Sequence, residues 1–127
     1  MPDPTEPHST LLVVSDDPHI REETRFGFSD EIGVVFADDS RTAMEQMRSI
    51  VPELVLVDIQ TGSAGGFSLA RDMAQSPRLR AIPIFMLLER AQDGWLARQA
   101  GAALHRVKPI ETEELVRSVL DLMSRVA

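Results

Sequence analysis

The stretch "LLVVSDDPHI", residues 11–20, opens with four apolar residues and then turns at once to a serine and two acids. Such an apolar run suits a strand covered on both faces, as strands in a parallel sheet are. Pro18 suits a first helical turn and Asp17 can cap it, so a helix follows the strand directly. Adjacent carboxylates repel one another, yet here they stand at the mouth of the core. They either cap the helix or hold a cation.

Four further apolar runs lie at Gly33–Ala37, Leu54–Val57, Ile82–Leu87 and Ala103–Val107. The last is the weakest, because His105 and Arg106 interrupt it. Helical patterns fill the gaps. The first is expected to run from Pro18 to about Phe28, blurred by Gly27. The second has Asp39 or Ser40 as its cap, with Ala43, Met44, Met47 and Ile50 on one face. A loop, "IQTGSAGG" (59–66), precedes a helix carrying Phe67, Leu69, Ala70 and Met73. "RAQDGWLARQAG" (90–101) is a short helix stopped by Gly101. Leu115, Val116, Val119, Leu120 and Met123 mark the last helix.

A strand–helix unit repeated five times predicts an α/β fold: a doubly wound, five-stranded parallel sheet with helices on both faces. Working sites in such sheets lie at the carboxyl ends of the strands. The residues there are Ser15, Asp16 and Asp17, then Asp58, then Leu88 and Glu89, then Lys108 and Pro109. A small group of carboxylates thus faces one lysine.

Bulk properties narrow the function. Residues 1–10 read as a flexible tail and 11–127 as one domain; the initial Met and the final helix fit a complete small protein. With no cysteine in 127 residues, disulfides and thiolate metal sites are excluded. No apolar run is long enough to span a bilayer, and the N-terminus lacks the basic and apolar segments of a secretory signal. A cytoplasmic protein without membrane contact is expected. The net charge of −7, with no basic stripe or aromatic stacking platform, argues against nucleic-acid binding.

Taken in order, "VVSDDPHIR", "LVLVDIQTGSAGG", "PIFMLL", "AGA" and "KP" resemble the receiver domain of bacterial response regulators, the CheY-like branch of flavodoxin-like folds. The resemblance covers the chain after the tail. It implies a stand-alone receiver of a two-component phosphorelay. Asp58 would accept a phosphoryl group from a histidine kinase or phosphotransfer protein, as a phosphoacceptor and not an enzyme. It implies Mg²⁺ held by Asp16, Asp58 and the backbone carbonyl of Gln60, with Asp17 an additional candidate better read as the helix cap. Lys108 would pair with Asp58 and then with a phosphoryl oxygen, and Pro109 fits the family's cis-proline place. A downstream protein would meet the face made by helix 4, strand 5 and helix 5.

The sequence departs from the family pattern at four places. Ser15 replaces an acid, which weakens the field for a cation. Leu88 replaces the hydroxyl residue that bonds a phosphoryl oxygen, a bond worth about 1.5–3 kcal/mol. Glu89 replaces a small residue and is expected to turn outward, to Arg90 or solvent. His105 stands in the aromatic switch place, either as a half-exposed filler or as a pH-sensitive group. The segment from Leu88 to Gly101 is also shorter than usual. Trp95, at its helix, reads as a packing anchor, with an exposed partner contact as the other reading. Gly62, Gly65 and Gly66 should loosen the loop after Asp58.

Two functions therefore compete. One is a receiver that is phosphorylated but responds weakly; the other is a pseudo-receiver that binds proteins independently of phosphorylation. A flavodoxin-like cofactor binder needs a Ser/Thr/Gly-rich phosphate loop after the first strand. A haloacid-dehalogenase-type phosphatase needs two acids one residue apart there. "SDDP" supplies neither.

Overall fold

The computed structural model describes residues 9–59 and 65–125. Five strands, β1 (Ser9–Val14), β2 (Ile32–Ala37), β3 (Leu54–Asp58), β4 (Ile84–Leu88) and β5 (Leu104–Val107), alternate with helices α1 (Pro18–Phe26), α2 (Ser40–Gln46), α3 (Gly65–Ala74), α4 (Gly94–Gln99) and α5 (Thr112–Ser124). The strands form one parallel sheet in the order β2-β1-β3-β4-β5. Among the described residues no helix is long and apolar enough to cross a membrane.

Alternation along the strands divides the core in two. Leu12 and Val14 of β1, Val55 and Val57 of β3, and Ile84, Met86 and Leu88 of β4 pack with Ala43, Leu69, Met73 and Ala97 from α2, α3 and α4. The intervening residues, Leu11, Val13, Leu54, Leu56, Phe85 and Leu87, pack with Ile20 of α1 and with Leu115, Val119 and Leu122 of α5. The central strands carry no polar face because helices cover both sides.

Local chemistry sets the element ends. Asp17 caps α1 by accepting from the His19 N–H at 2.9 Å, with Pro18 in the first turn. That helix stops at Phe26, short of Phe28. A Cβ at Gly27 would lie 2.6 Å from the Glu23 carbonyl oxygen and 2.9 Å from Val116 Cγ2, so a side chain would drive α1 and α5 apart. Of the two candidate caps for α2, Asp39 takes the place and accepts from the Thr42 N–H at 2.8 Å. β1 starts at Ser9, before the apolar run, because the Ser9 N–H reaches the Glu31 carbonyl at 3.2 Å. β4 starts at Ile84, after Ile82, since Pro83 has no N–H to give the ladder. Gly101, at φ +90°, ends α4 with the Ala102 N–H bonded back to the Ala97 carbonyl at 3.0 Å.

Trp95 does not anchor α4. The residues of α4 that face the sheet are Gly94 and Ala97, which leaves Trp95 on the outer side, 56% exposed.

Candidate functional site

Sheet register gathers the distant polar residues at one rim. Val14 pairs with Val57, so Ser15 and Asp58 follow as neighbours at the ends of β1 and β3. Leu88 pairs with Val107, and the Lys108 N–H then bonds the Leu88 carbonyl at 2.7 Å. The strand ends therefore set Ser15, Asp58 and Lys108 side by side.

The Ser15 hydroxyl donates to Asp58 Oδ2 at 2.8 Å, and the Lys108 ammonium lies 2.5 Å from Asp58 Oδ1. Oδ1 receives no well-angled hydrogen bond; its partner is the ammonium charge. The Asp58 side chain is only 1% exposed and that of Lys108 is 18% exposed. A buried carboxylate of this kind persists because a cation compensates it. The Lys108–Pro109 peptide is cis.

Asp58 borders a cavity of about 170 Å³ that also meets Ser15, Asp16, Asp38, Asp39 and the glycine-led start of α3. Four carboxylates line it. The Cβ that Gly66 lacks would lie 2.0 Å from Ile59 Cδ1, so the head of α3 sits against the chain leaving β3. Lys108 lies outside this cavity. It borders a second hollow of about 360 Å³, shared with Asp17, His19 and Glu89.

Magnesium is held through one or two carboxylates, with water and phosphate oxygens completing its shell. Asp16 and Asp58 offer two hard carboxylates on one cavity. These residues fit such an ion. Among the described residues no three His, Cys, Asp or Glu side chains gather closely enough to cage a metal by themselves. Gln60 lies outside the described residues, as does Gly62.

The other positions singled out in the sequence divide clearly. Asp17 is the α1 cap, and its own N–H bonds the Ser15 hydroxyl oxygen at 3.0 Å. Leu88 is fully buried in the core beneath α2, α3 and α4, so no side-chain hydroxyl stands at the end of β4. Glu89 is exposed over the second hollow, while Arg90 pairs with Asp93 at 3.2 Å. His105 is half-buried against the start of α4; its Nε2 lies 2.9 Å from where a Gly94 Cβ would stand.

Sequence reasoning gave no role to Arg21, which braces the rim. Its Nε donates to the Ser15 carbonyl at 2.8 Å, and its guanidinium pairs with Asp38. Arg21 and Arg25 both lie over the Phe36 ring, 5.4 and 5.3 Å from its centroid. Their spacing of four residues on α1 was the available signal. Asp39 has its carboxyl held below the usual range, chiefly by the Thr42 backbone N–H that donates to it.

Comparison with known proteins agrees with this fold. Residues 11–120 match the response regulator receiver domain family. The chain belongs to that family. A 14.6 kDa uncharacterized protein of Leptolyngbya boryana is 30% identical over 112 residues, 86% of each chain. The phosphate regulon transcriptional regulatory protein PhoB of Escherichia coli K12 is 28% identical over 120 residues, 92% of this chain. The chain spans only 52% of PhoB's length. The receiver domain of sensor histidine kinase PA1611 from Pseudomonas aeruginosa PAO1 superposes with a TM-score of 0.77 at 22% identity, covering 91% of this chain and 98% of that one. That structure holds a magnesium ion in its active-site cleft.

Proposed function

We propose that this receiver accepts a phosphoryl group on Asp58 from a histidine kinase or phosphotransfer protein, with Mg²⁺ held by Asp16 and Asp58. The carrying observation is the Asp58 carboxylate, set between the Ser15 hydroxyl and the Lys108 ammonium beside an acid-lined cavity. An Asp58 oxygen forms the new O–P bond as the donor's N–P bond breaks, and the imidazole nitrogen keeps the electron pair. Lys108 neutralises charge on the transferred group, and Ser15 orients the acceptor. When bound, a magnesium ion supplies further charge neutralisation at the phosphoryl oxygens.

The response to phosphate is proposed to be weak. A ligand shifts an equilibrium only through contacts that differ between the two states. Leu88 offers the phosphoryl group no hydroxyl, and His105 is packed against α4. The face formed by α4, β5 and α5 is the proposed docking surface for a downstream protein in the cytoplasm, and α4 also carries the exposed Trp95.

The test is incubation with a small-molecule phosphodonor and Mg²⁺, read by intact mass. One phosphoryl adduct is expected on the natural chain and none on Asp58→Asn. No adduct with any donor or kinase would refute phosphate acceptance and leave partner binding independent of phosphorylation.

A further inference from the structure

The two segments that lead into β3 and β4 are basic in an otherwise acidic protein. Residues 47–53 enter β3 and residues 75–83 enter β4, and those strands are neighbours in the sheet. The segments therefore lie side by side at the amino ends of the strands, opposite the end that carries Asp58. Arg78 ties them together, its guanidinium donating to the Met47 carbonyl. Met47 and Leu79, one from each segment, are buried in the same half of the core. The segments carry Arg48, Arg78 and Arg80 against one acid, Glu53, whose carboxylate accepts from the Thr10 N–H of β1. Three arginines and one glutamate give them +2, which leaves −9 on the rest of the chain.

All three arginines are exposed, and among the described residues none forms an ion pair. Closing the carbonyl end of α2 accounts for Arg78 alone. Val51, on the same segment as Arg48, is 49% exposed. The backbone beneath this patch is fixed. The Arg80 N–H bonds the Ser76 carbonyl at 2.8 Å, the Ile82 N–H bonds the Leu79 carbonyl at 3.0 Å, and the Ile50 N–H bonds the Gln46 carbonyl at 3.1 Å. Guanidinium groups held on such a frame suit carboxylates, whose two oxygens match the planar fork. An extended polyanion is disfavoured, because a nucleic acid or an anionic bilayer would also meet the −9 of the surrounding chain. A short acidic segment touches the patch alone, and an aliphatic side chain within it would cover Val51.

We propose that Arg48, Arg78, Arg80 and Val51 form a docking site for a short acidic segment of a partner protein, with one aliphatic residue among its carboxylates. The site stands at the far end of the sheet from Asp58, so it holds a partner without covering the acid-lined cavity. The inference does not depend on phosphorylation of Asp58.

Fluorescence anisotropy of a labelled glutamate peptide with one central leucine, titrated with the intact chain, tests it. The natural chain should bind the peptide, and less tightly as salt rises, since salt screens exposed charges. Arg48→Glu and Arg80→Glu should each weaken binding about tenfold, because each sets like charges together. Arg41→Glu makes the same charge change on an exposed arginine at the other end of α2 and should leave binding unchanged. Replacing the peptide's leucine by serine should weaken binding to the natural chain but not to Val51→Ser. Circular dichroism checks that the variants remain folded. A natural chain that does not bind the glutamate peptide, or an equal loss in Arg41→Glu and Arg48→Glu, would overturn the proposal. So would tighter binding of single-stranded DNA or of phosphatidylserine vesicles, either of which would assign the patch to a different polyanion.

Discussion

Asp58 shows how one residue's surroundings set its behaviour. Its carboxylate is out of water, and its charge is tolerated because Lys108 and Ser15 answer one oxygen each. Removing one partner of such a buried pair costs about 3–5 kcal/mol, mostly from the stranded charge. Lys108→Met should therefore lower stability by about that amount in chemical denaturation. Adding Asp58→Asn to it should restore most of the loss, because no charge remains to be compensated. A double variant no more stable than Lys108→Met would show that the lysine stabilises the fold by some other route. Asp58 and Lys108 were legible from the sequence because each ends a recognisable apolar run. The contribution of Ser15 was not. Its replacement of an acid reads as a loss, whereas the hydroxyl donates to Asp58 and its oxygen also receives the Asp17 N–H. A hydroxyl's partner is set by three-dimensional placement, which a string of residues does not contain.

At the level of elements, caps and prolines decided more than hydrophobicity did. Asp39 holds the start of α2, and the Thr42 N–H keeps its carboxyl below the usual range. A carboxyl lowered by folding favours the charged form in the folded state. Its stabilisation is complete above the ordinary carboxylate pKa and is lost as pH falls through the lowered value. Asp39→Asn keeps a side-chain acceptor but not the charge. The natural chain should be the more stable at neutral pH, and the gap should close as pH falls below the ordinary carboxylate range. Thermal unfolding of both proteins along that pH series checks it, and a gap independent of pH would remove the charge from the account. The apolar runs located all five strands, since continuous burial leaves a plain trace. They missed where β4 begins, because Ile82 looks like Ile84 until the missing N–H of Pro83 is considered. They also misplaced Trp95, because in so short a helix the small residues Gly94 and Ala97 take the inner side.

At the scale of the whole molecule, ligand binding and stability are one quantity. A cation that binds only the folded chain stabilises it by mass action, about 2.7 kcal/mol at a hundredfold excess over its dissociation constant. Mg²⁺ should raise the melting temperature of the natural chain. Asp16→Asn should abolish most of that rise. Asp17→Ala should keep it while lowering the starting stability by about 1 kcal/mol through loss of the α1 cap. An Asp17→Ala chain that no longer responds to Mg²⁺ would make Asp17 a ligand as well as a cap. The fold class and the rim of the sheet followed from strand–helix alternation alone. The brace from Arg21 to Ser15 and Asp38, and the acid lining from Asp38 and Asp39, depend on β2 standing beside β1. That neighbourhood comes from the order in which strands pair, and no local pattern encodes it.

The same strand order also distributes resistance to local opening. Asp58 ends a strand flanked on both sides, with Leu54 to Val57 almost wholly out of water. Backbone amides in such a position exchange only in rare, large unfolding events. Helix α4 is six residues long, begins at Gly94 and is followed after Ala100 by Gly101, beside the half-exposed edge strand β5. Asp58 is therefore rooted in the last part of the molecule to come apart, and the helix nearest the outer edge can fray and re-form many times without disturbing it.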